Sequence, residues 1–372
     1  MTKDYFPEYG NWTRKQPGAL NMDEKQVEEA IRFAKTHENK LSINNMQMFT
    51  RTASETREPH DEVLGPVKER GEMTGLIIKD GYIVAEWGDI NRIDMTFSVT
   101  KTYLSTTVGL AYDKGLISDL NDNVYRYLPN PDEHFGNEHN KKITWDHLLR
   151  QTSEWQGVLW DKPDWADRPP ENMSFDSLDK QKYMMPGSKY KYNDVRVNLL
   201  ALLATNLWRN PLPKILKENV MDPIGASNTW RWHGYKNSWI VLDGQNIQSV
   251  SGGGHWGGGM FINALDHARF GYLFLRNGEW DKNKIISKEW INMASSPSEI
   301  NKSYGFMNWF LNSNEEGTEK KISSAPANAV YFSGLGSNII YVDWQNDLVV
   351  VVRWIDSDYL SGFIDLILKS LK

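Results

Sequence analysis

The sequence predicts an α+β fold: an antiparallel β-sheet flanked by helices, assembled from both ends of the chain around a largely helical second domain. Three observations carry this. TGLIIKDGYIVAEWG at 74–88 holds two β-rich runs around Lys79-Asp80-Gly81, and Asp-Gly between such runs signals a tight hairpin. NIIYVDW at 338–344 and DLVVVVRWI at 347–355 flank Gln345-Asn346 as a second strand pair near the other end. Between the two pairs, apolar residues recur at helical spacing over 144–150, 194–207 and 265–276, separated by polar loops rich in Pro, Asp, Asn and Trp. The expected division assigns 1–97 and 250–372 to an α/β part containing the sheet and 98–249 to a mainly helical part.

Further helices complete the pattern. DEKQVEEAIRFAKTH at 23–37 places Val27, Ala30, Ile31, Phe33 and Ala34 on one face after an acidic start. Val99, Tyr103, Leu104, Val108 and Ala111 repeat at helical spacing, and Gly115 stands where that helix would stop, so Ser98 falls at a helix N-terminus. Residues 359–371 are helical again. No repeat, low-complexity tract or obvious linker interrupts the chain.

Composition narrows the function classes. With 372 residues, 40% of them hydrophobic and 24% charged, the chain can bury a large core. A net charge of -6 supplies no cationic footprint for nucleic acid or an anionic membrane surface. The absence of cysteine removes disulfides, thiolate metal sites and cysteine nucleophiles. The opening MTKDYFPEYGNWTRKQ has neither an apolar signal core nor a membrane span, so the chain as it stands reads as cytoplasmic, and as periplasmic or secreted if a signal has been removed. Sixteen tryptophans suit a cleft with large flat walls as well as ordinary packing.

The chemistry centres on Ser98-Val-Thr-Lys101, which puts a hydroxyl and an amine one helical turn apart on one face, close enough for the amine to take the hydroxyl proton. The same spacing recurs at Ser177–Lys180 and Ser188–Lys191, in polar loop sequence. Only Ser98 follows an apolar run, MTF, and opens an apolar helix, where unpaired backbone N–H groups favour a developing anion. Between Phe97 and Tyr103, Lys101 would be partly desolvated and its pKa lowered; a solvated helix lysine is the competing reading. The eight histidines form no close ligand set, so neither a metal nor another cofactor is implied. Gly252-x-Gly254-x-x-Gly257 matches a dinucleotide fingerprint but lies late and lacks a βαβ unit, and no Gly-x-Ser-x-Gly elbow surrounds any serine.

FSVTKTYLSTTVGLAYDKGLISDLNDNVYRYLP, beginning at Phe97, resembles the first motif and following helix of the serine β-lactamase, penicillin-binding-protein and esterase superfamily. ITWDHLLRQTSEW at 143–155 is similar to that family's next stretch, with Gln151-Thr-Ser-Glu154 where a His-Thr-Ser-Gly core is common. PGSKYKYNDVRVNLLALL at 186–203 resembles the second motif, Tyr-x-Asn before a Leu-Leu helix. Tyr192 keeps the family's distance to Leu199-Leu200, Tyr190 being the competing choice, and Asp194 occupies the asparagine's place. The third motif falls on Phe332-Ser333-Gly334-Leu335, where Ser-Gly is kept and the lysine is lost. An alternative register, Leu335-Gly336-Ser337, moves the following N–H to Asn338. SGGGHWGGGMFINALDHARFGYLFL at 251–275 resembles the glycine-rich approach to the helix before that motif.

The resemblance, spanning roughly 74–356, is to class C β-lactamases, and closest in flavour to family VIII esterases and nylon-oligomer hydrolases. It implies a serine hydrolase with a small-molecule ester or amide substrate. Ser98 would be acylated while Lys101 and Tyr192 handle protons, the phenol serving as general base if neighbouring positive charge lowers its pKa. Backbone N–H groups of Ser98 and Leu335 would form the oxyanion hole. Asp194, Ser333, Gly334, His255 and Trp256 are the candidates for lining the substrate pocket. A carboxylate at Asp194 would stabilise a protonated Lys101 and repel an anionic substrate group. With no cation in the third motif, esters or other amides are favoured over β-lactams and D-Ala-D-Ala termini. The departures at Asp194 and Phe332 motivate a rival, a non-catalytic or slowly acylated penicillin-recognising binder.

Overall fold

The computed structural model describes residues 5–41, 60–169 and 182–372. In chain order its principal elements are α1 (Glu24–Thr36), β1 (Thr74–Lys79), β2 (Tyr82–Trp87), α2 (Thr100–Asp113), α3 (Asp194–Trp208), β3 (Arg231–Leu242), β4 (Gln245–Val250), β5 (Gly259–Ile262), α4 (Ala264–Leu275), β6 (Val330–Gly334), β7 (Asn338–Asp343), β8 (Leu348–Arg353) and α5 (Ser357–Lys369).

The two strand pairs expected at the chain's ends join into one antiparallel sheet of order β6-β7-β8-β1-β2. β1 and β8 pair from Thr74↔Arg353 to Lys79↔Leu348. The β1–β2 turn places Asp80 and Gly81 both at positive φ (51° and 86°), the backbone that Asp-Gly hairpins adopt. β8 is buried along its whole length because both faces of the sheet are covered. Leu348, Val350 and Val352 meet the core of α1 and α5 with Ala30, Ala34, Phe363 and Ile367. Val349 and Val351 face the larger core that contains Phe270 and Phe274 of α4. That two-sided burial is why DLVVVVRWI is a continuous apolar run rather than an alternating one.

α2 and α3 form the centre of the helical layer. Every residue from Thr100 to Ala111 and from Asp194 to Thr205 is buried. Hydroxyls on α2 survive this burial by bonding to nearby carbonyls: Thr106 to Thr102 O at 2.9 Å, Thr107 to Leu104 O at 2.7 Å and Thr102 to Met307 O at 2.8 Å.

A second sheet runs Asp94–Met95, β5, β3, β4. All but the last residue of its β3–β4 hairpin falls within 98–249, the stretch read from sequence as mainly helical. The signal was present: Asp243-Gly244 turns this hairpin with φ of 52° and 76°, the same chemistry as Asp80-Gly81. Exposed Trp239 and Val241 on the strand obscure the alternation that would have marked it. Among the described residues no helix is long and apolar enough to cross a membrane.

α4 lies so close to the sheet that a Cβ on Gly271 would stand 2.6 Å from Ile340 Cγ2 and 2.9 Å from Val349 Cγ1. Both neighbours are β-branched methyls with no free rotation away. Gly271→Ala is therefore expected to destabilise the protein by ~1–3 kcal/mol through overpacking. Urea denaturation measures this, and an unchanged midpoint would show that α4 can lift from the sheet.

Candidate active site

Ser98 sits in a single 3-10 turn, Phe97–Val99, immediately before α2. Phe97 has φ 49°, a left-handed backbone that a bulky residue adopts only when its surroundings impose it. Two glycine contacts impose it. A Cβ on Gly253 would come within 2.2 Å of Phe97 O, and one on Gly334 within 2.2 Å of Thr96 O and 3.1 Å of Ser98 N. The Ser98 turn is thus gripped between the glycine-rich segment and the end of β6. From beneath, Thr96 Oγ1 meets His267 Nε2 at 2.6 Å and Tyr103 OH meets His267 Nδ1 at 2.9 Å. Burial holds that imidazole far below its ordinary pKa, so it serves as a neutral hydrogen-bonding post.

Lys101, one turn into α2, is 1% exposed. Its Nζ lies 2.7 Å from Ser98 Oγ, 2.7 Å from Asp194 Oδ1 and 3.3 Å from Gly252 O. Burial lowers its pKa, the Asp194 carboxylate opposes this, and the net shift is downward. Burial alone would raise Asp194, but Lys101, then Arg168 and His255, hold its carboxyl well below the usual range. Gly254 makes room for this carboxylate, since a Cβ there would fall 2.1 Å from Asp194 Cγ. In the Gly-x-Gly-x-x-Gly pattern, Gly252 packs against Val197, Gly254 against Asp194 and Gly257 against the Gly65 carbonyl, so close packing accounts for it.

Tyr192 precedes α3, its ring 5.1 Å from Lys101 Nζ, and it borders the larger cavity together with Ser98. The ring stacks on Trp309 at 5.7 Å and lies 4.8 Å from the Arg168 guanidinium carbon. Burial and then Asp194 push the phenol above its ordinary pKa; Arg168 and Ser98 act the other way without prevailing. The condition for a phenolate base is therefore not met, and Tyr192 is a protonated phenol able to donate.

The segment carrying Tyr192 and Asp194 is fixed from behind by residues that the sequence reading marked only as departures. Gln151 Oε1 accepts from Asn193 N at 2.6 Å, and its Nε2 donates to Tyr304 OH at 2.8 Å. Glu154 pairs with Arg196 at 2.9 Å and accepts from Met184 N at 3.0 Å. Arg196 also reaches Asp164 Oδ2 at 3.2 Å, while Asp164 O accepts from Asn193 Nδ2 at 2.7 Å.

Asp167 and Arg168 are further site residues that the sequence left unassigned. Asp167 is buried, accepts from Asp194 N, and lies 2.7 Å from His255 Nδ1 and 2.6 Å from Arg168 Nη1. Burial would lower the His255 pKa, but Asp167 and then Asp194 drive it up to about 10, so it is an imidazolium at neutral pH. Asp167, Asp194 and His255 offer ligand-type atoms within 4.8 Å of one another. Lys101 and Arg168 already neutralise these carboxylates, and a divalent cation would have to displace them.

Two cavities flank Ser98. The larger, about 700 Å³, is bordered by Ser98, Arg168, Tyr192, Trp309, Ser333, Gly334 and Leu335. The smaller, about 100 Å³, is bordered by Phe97, Ser98, Arg168, Asp194, His255 and Leu335. Trp256 borders neither: it is buried, with Lys162 over its ring at 5.0 Å, and its carbonyl accepts from Leu64 and Gly65 N–H. Its apolar bulk serves the core, which corrects its expected place in the pocket. Gly334-Leu335 is the register beside Ser98, whereas Asn338 is buried against Leu335 O and Arg353. Ser188 bonds to Met185 O on the surface, and Ser177–Lys180 lies outside the described residues.

A serine and a buried lysine one helical turn apart, at the junction of an antiparallel sheet and a helix-rich layer, define a β-lactamase/transpeptidase-like fold of hydrolases. The Beta-lactamase family model matches residues 93–354, and the chain belongs to that family. A curated relative in Escherichia coli O157:H7, named "Putative D-alanyl-D-alanine carboxypeptidase", is 22% identical over 340 residues, covering 74% of this chain and 76% of its own. Among solved structures, the "Putative 6-aminohexanoate-dimer hydrolase from Bacillus anthracis" aligns with TM-score 0.57 at 16% identity, covering 85% of this chain and 79% of that one. A family VIII carboxylesterase aligns with TM-score 0.54 at 17% identity, covering 87% and 96%. At these identities the structural likeness establishes the fold.

Removing Arg196 tests the support behind the site. Arg196→Met leaves Glu154 and Asp164 as unpaired buried carboxylates and is expected to cost ~3–5 kcal/mol of stability. Because both carboxyls would then titrate at raised pKa in the folded state, the deficit should shrink as pH falls toward about 5. Chemical denaturation at several pH values checks this; a pH-independent loss would assign the effect to packing alone.

Proposed function

We propose that this protein is a serine hydrolase that cleaves an ester or amide through an acyl-enzyme on Ser98. The carrying observation is the 2.7 Å contact between Ser98 Oγ and Lys101 Nζ, with the Tyr192 ring 5.1 Å from the same amine and bordering the larger cavity beside Ser98. In this reading the cleft runs between a part built from 1–97 and 250–372 and a part built from 98–249.

Neutral Lys101 takes the Ser98 proton as Oγ attacks the substrate carbonyl, and the downward shift of its pKa increases the fraction in that form. The new oxyanion is held by the backbone N–H groups of Ser98 and Leu335. On collapse, Tyr192 donates its proton to the departing oxygen or nitrogen and is resupplied by the Lys101 ammonium. Water then enters along the same proton path and hydrolyses the acyl-enzyme. Trp309 and Tyr331 give the larger cavity an aromatic wall for the rest of a small substrate. The absence of a cation on β6, and neighbours named as a carboxylesterase and a 6-aminohexanoate-dimer hydrolase, favour esters and linear amides over β-lactams.

Ser98→Ala is expected to abolish hydrolysis of a p-nitrophenyl ester panel, and Lys101→Ala and Tyr192→Phe to lower kcat by at least ~100-fold with the fold retained by circular dichroism. Near-normal rates in folded Lys101→Ala and Tyr192→Phe would overturn the mechanism. Stoichiometric labelling of Ser98 by an active-site phosphonate, without turnover of any ester or amide, would favour the ligand-binding alternative.

The Asp194 carboxylate raises the Lys101 pKa, so removing its charge must lower that pKa. Activity requires the neutral amine, so the acid limb of kcat/KM should move to lower pH in Asp194→Asn, by ~1 unit or more. A pH–rate profile reads this directly; an unmoved limb would assign it to another group.

A further inference from the structure

Lining the cleft at some distance in sequence from β6, Arg168 offers a cation with donors to spare. Its Nη1 is 2.6 Å from each Asp167 oxygen and 3.5 Å from Asp194 Oδ2. Among the described residues no acceptor meets its Nε or Nη2. The side chain is 44% exposed and borders both cavities beside Ser98. Its backbone sits at φ 51°, a conformation disfavoured for arginine. A counter-ion for Asp167 alone would need neither this exposure nor this strain, since His255 already pairs with Asp167 at 2.7 Å.

Resting on the hydrolase reading above, we propose that Arg168 recognises a carboxylate on the acyl part of the substrate, making this protein selective for esters or amides of short acyl groups that end in an anion. A planar guanidinium with unused N–H groups matches a carboxylate better than any other side chain. The repulsion expected of Asp194 is cancelled, because its oxygens are taken up by Lys101 and His255. Around the smaller cavity two carboxylates, Asp167 and Asp194, face three basic groups, Lys101, Arg168 and His255, so an arriving anion meets no net negative field. Its volume of about 100 Å³ has room for several water-sized groups, enough for a carboxylate on a two-carbon arm when the carbonyl lies at Ser98.

The test compares monomethyl succinate with methyl levulinate, which replaces the carboxylate by a methyl ketone on the same skeleton, by pH-stat. The wild-type protein should prefer the succinate in kcat/KM by ~10-fold or more, and Arg168→Gln should cut that ratio by ~30-fold, with Arg168→Lys between them. Equal losses on both esters would make Arg168 a positioning group for Tyr192 and overturn the proposal, as would a wild-type preference for the levulinate. Calorimetry of succinate on Ser98→Ala, with and without Arg168→Gln, reads the anion site independently of turnover. Arg168-dependent succinate binding in a protein that hydrolyses neither ester would sink the hydrolase reading and leave the anion site standing; hydrolysis of both without preference, and no Arg168-dependent binding, would do the reverse.

Discussion

The arrangement rests on keeping the Lys101 amine out of water while it touches Ser98. An amine on a four-carbon stem is ordinarily solvated, and hiding it requires a helix buried on all sides, a carboxylate at 2.7 Å and close backbone packing above it. Each requirement recruits another part of the chain. α3 begins at Asp194 and so delivers the carboxylate; the glycine-rich segment after β4 covers the pair; β6 closes the remaining side. The sheet on which β6 lies is completed by strands from the far end of the sequence. Burial of one side chain thus ties the helical layer to the sheet.

The electrostatic design follows from that burial. Burial lowers Lys101 and raises Tyr192, so desolvation pushes these two groups apart in basicity, while the Asp194 carboxylate raises both. In the proposed mechanism the amine is therefore the acceptor and the phenol the donor. Asp167, His255 and Arg168 form an outer ring that balances the inner pair and keeps Asp194 ionised. An asparagine in place of Asp194 would remove an influence that raises both groups, and so would lower the amine and the phenol together.

Much of this was legible in the sequence for identifiable reasons. Local chemistry gave the Asp80-Gly81 hairpin, the apolar repeat of α2 and the two strands near the end, because turn dipeptides and periodicity report on neighbours along the chain. Ser98 and Lys101 were readable because they share one helical turn, and Tyr192 because of its fixed distance to a Leu-Leu helix. Arg168 was not, since it comes from an irregular loop and acquires meaning only when folding carries it to Ser98. Gln151 and Glu154 were visible only as departures; their partners Asn193, Tyr304 and Arg196 are distant in sequence. Trp256 shows the opposite error, because adjacency to His255 does not decide which of two neighbours faces the cleft. The β3–β4 hairpin was missed where exposed apolar residues masked the strand pattern.

The pairing of β1 with β8 has a consequence in time. At translation rates of ~5–20 residues per second, roughly a quarter of a minute to a minute separates the emergence of these two partners from the ribosome. Until β8 arrives, the apolar edge of the β1–β2 hairpin has no neighbour, and β6, which grips the Ser98 turn, has no sheet to join. Nascent chains of this protein therefore spend that interval with an open strand edge, and the sheet behind the Ser98 turn stays incomplete until β8 has emerged.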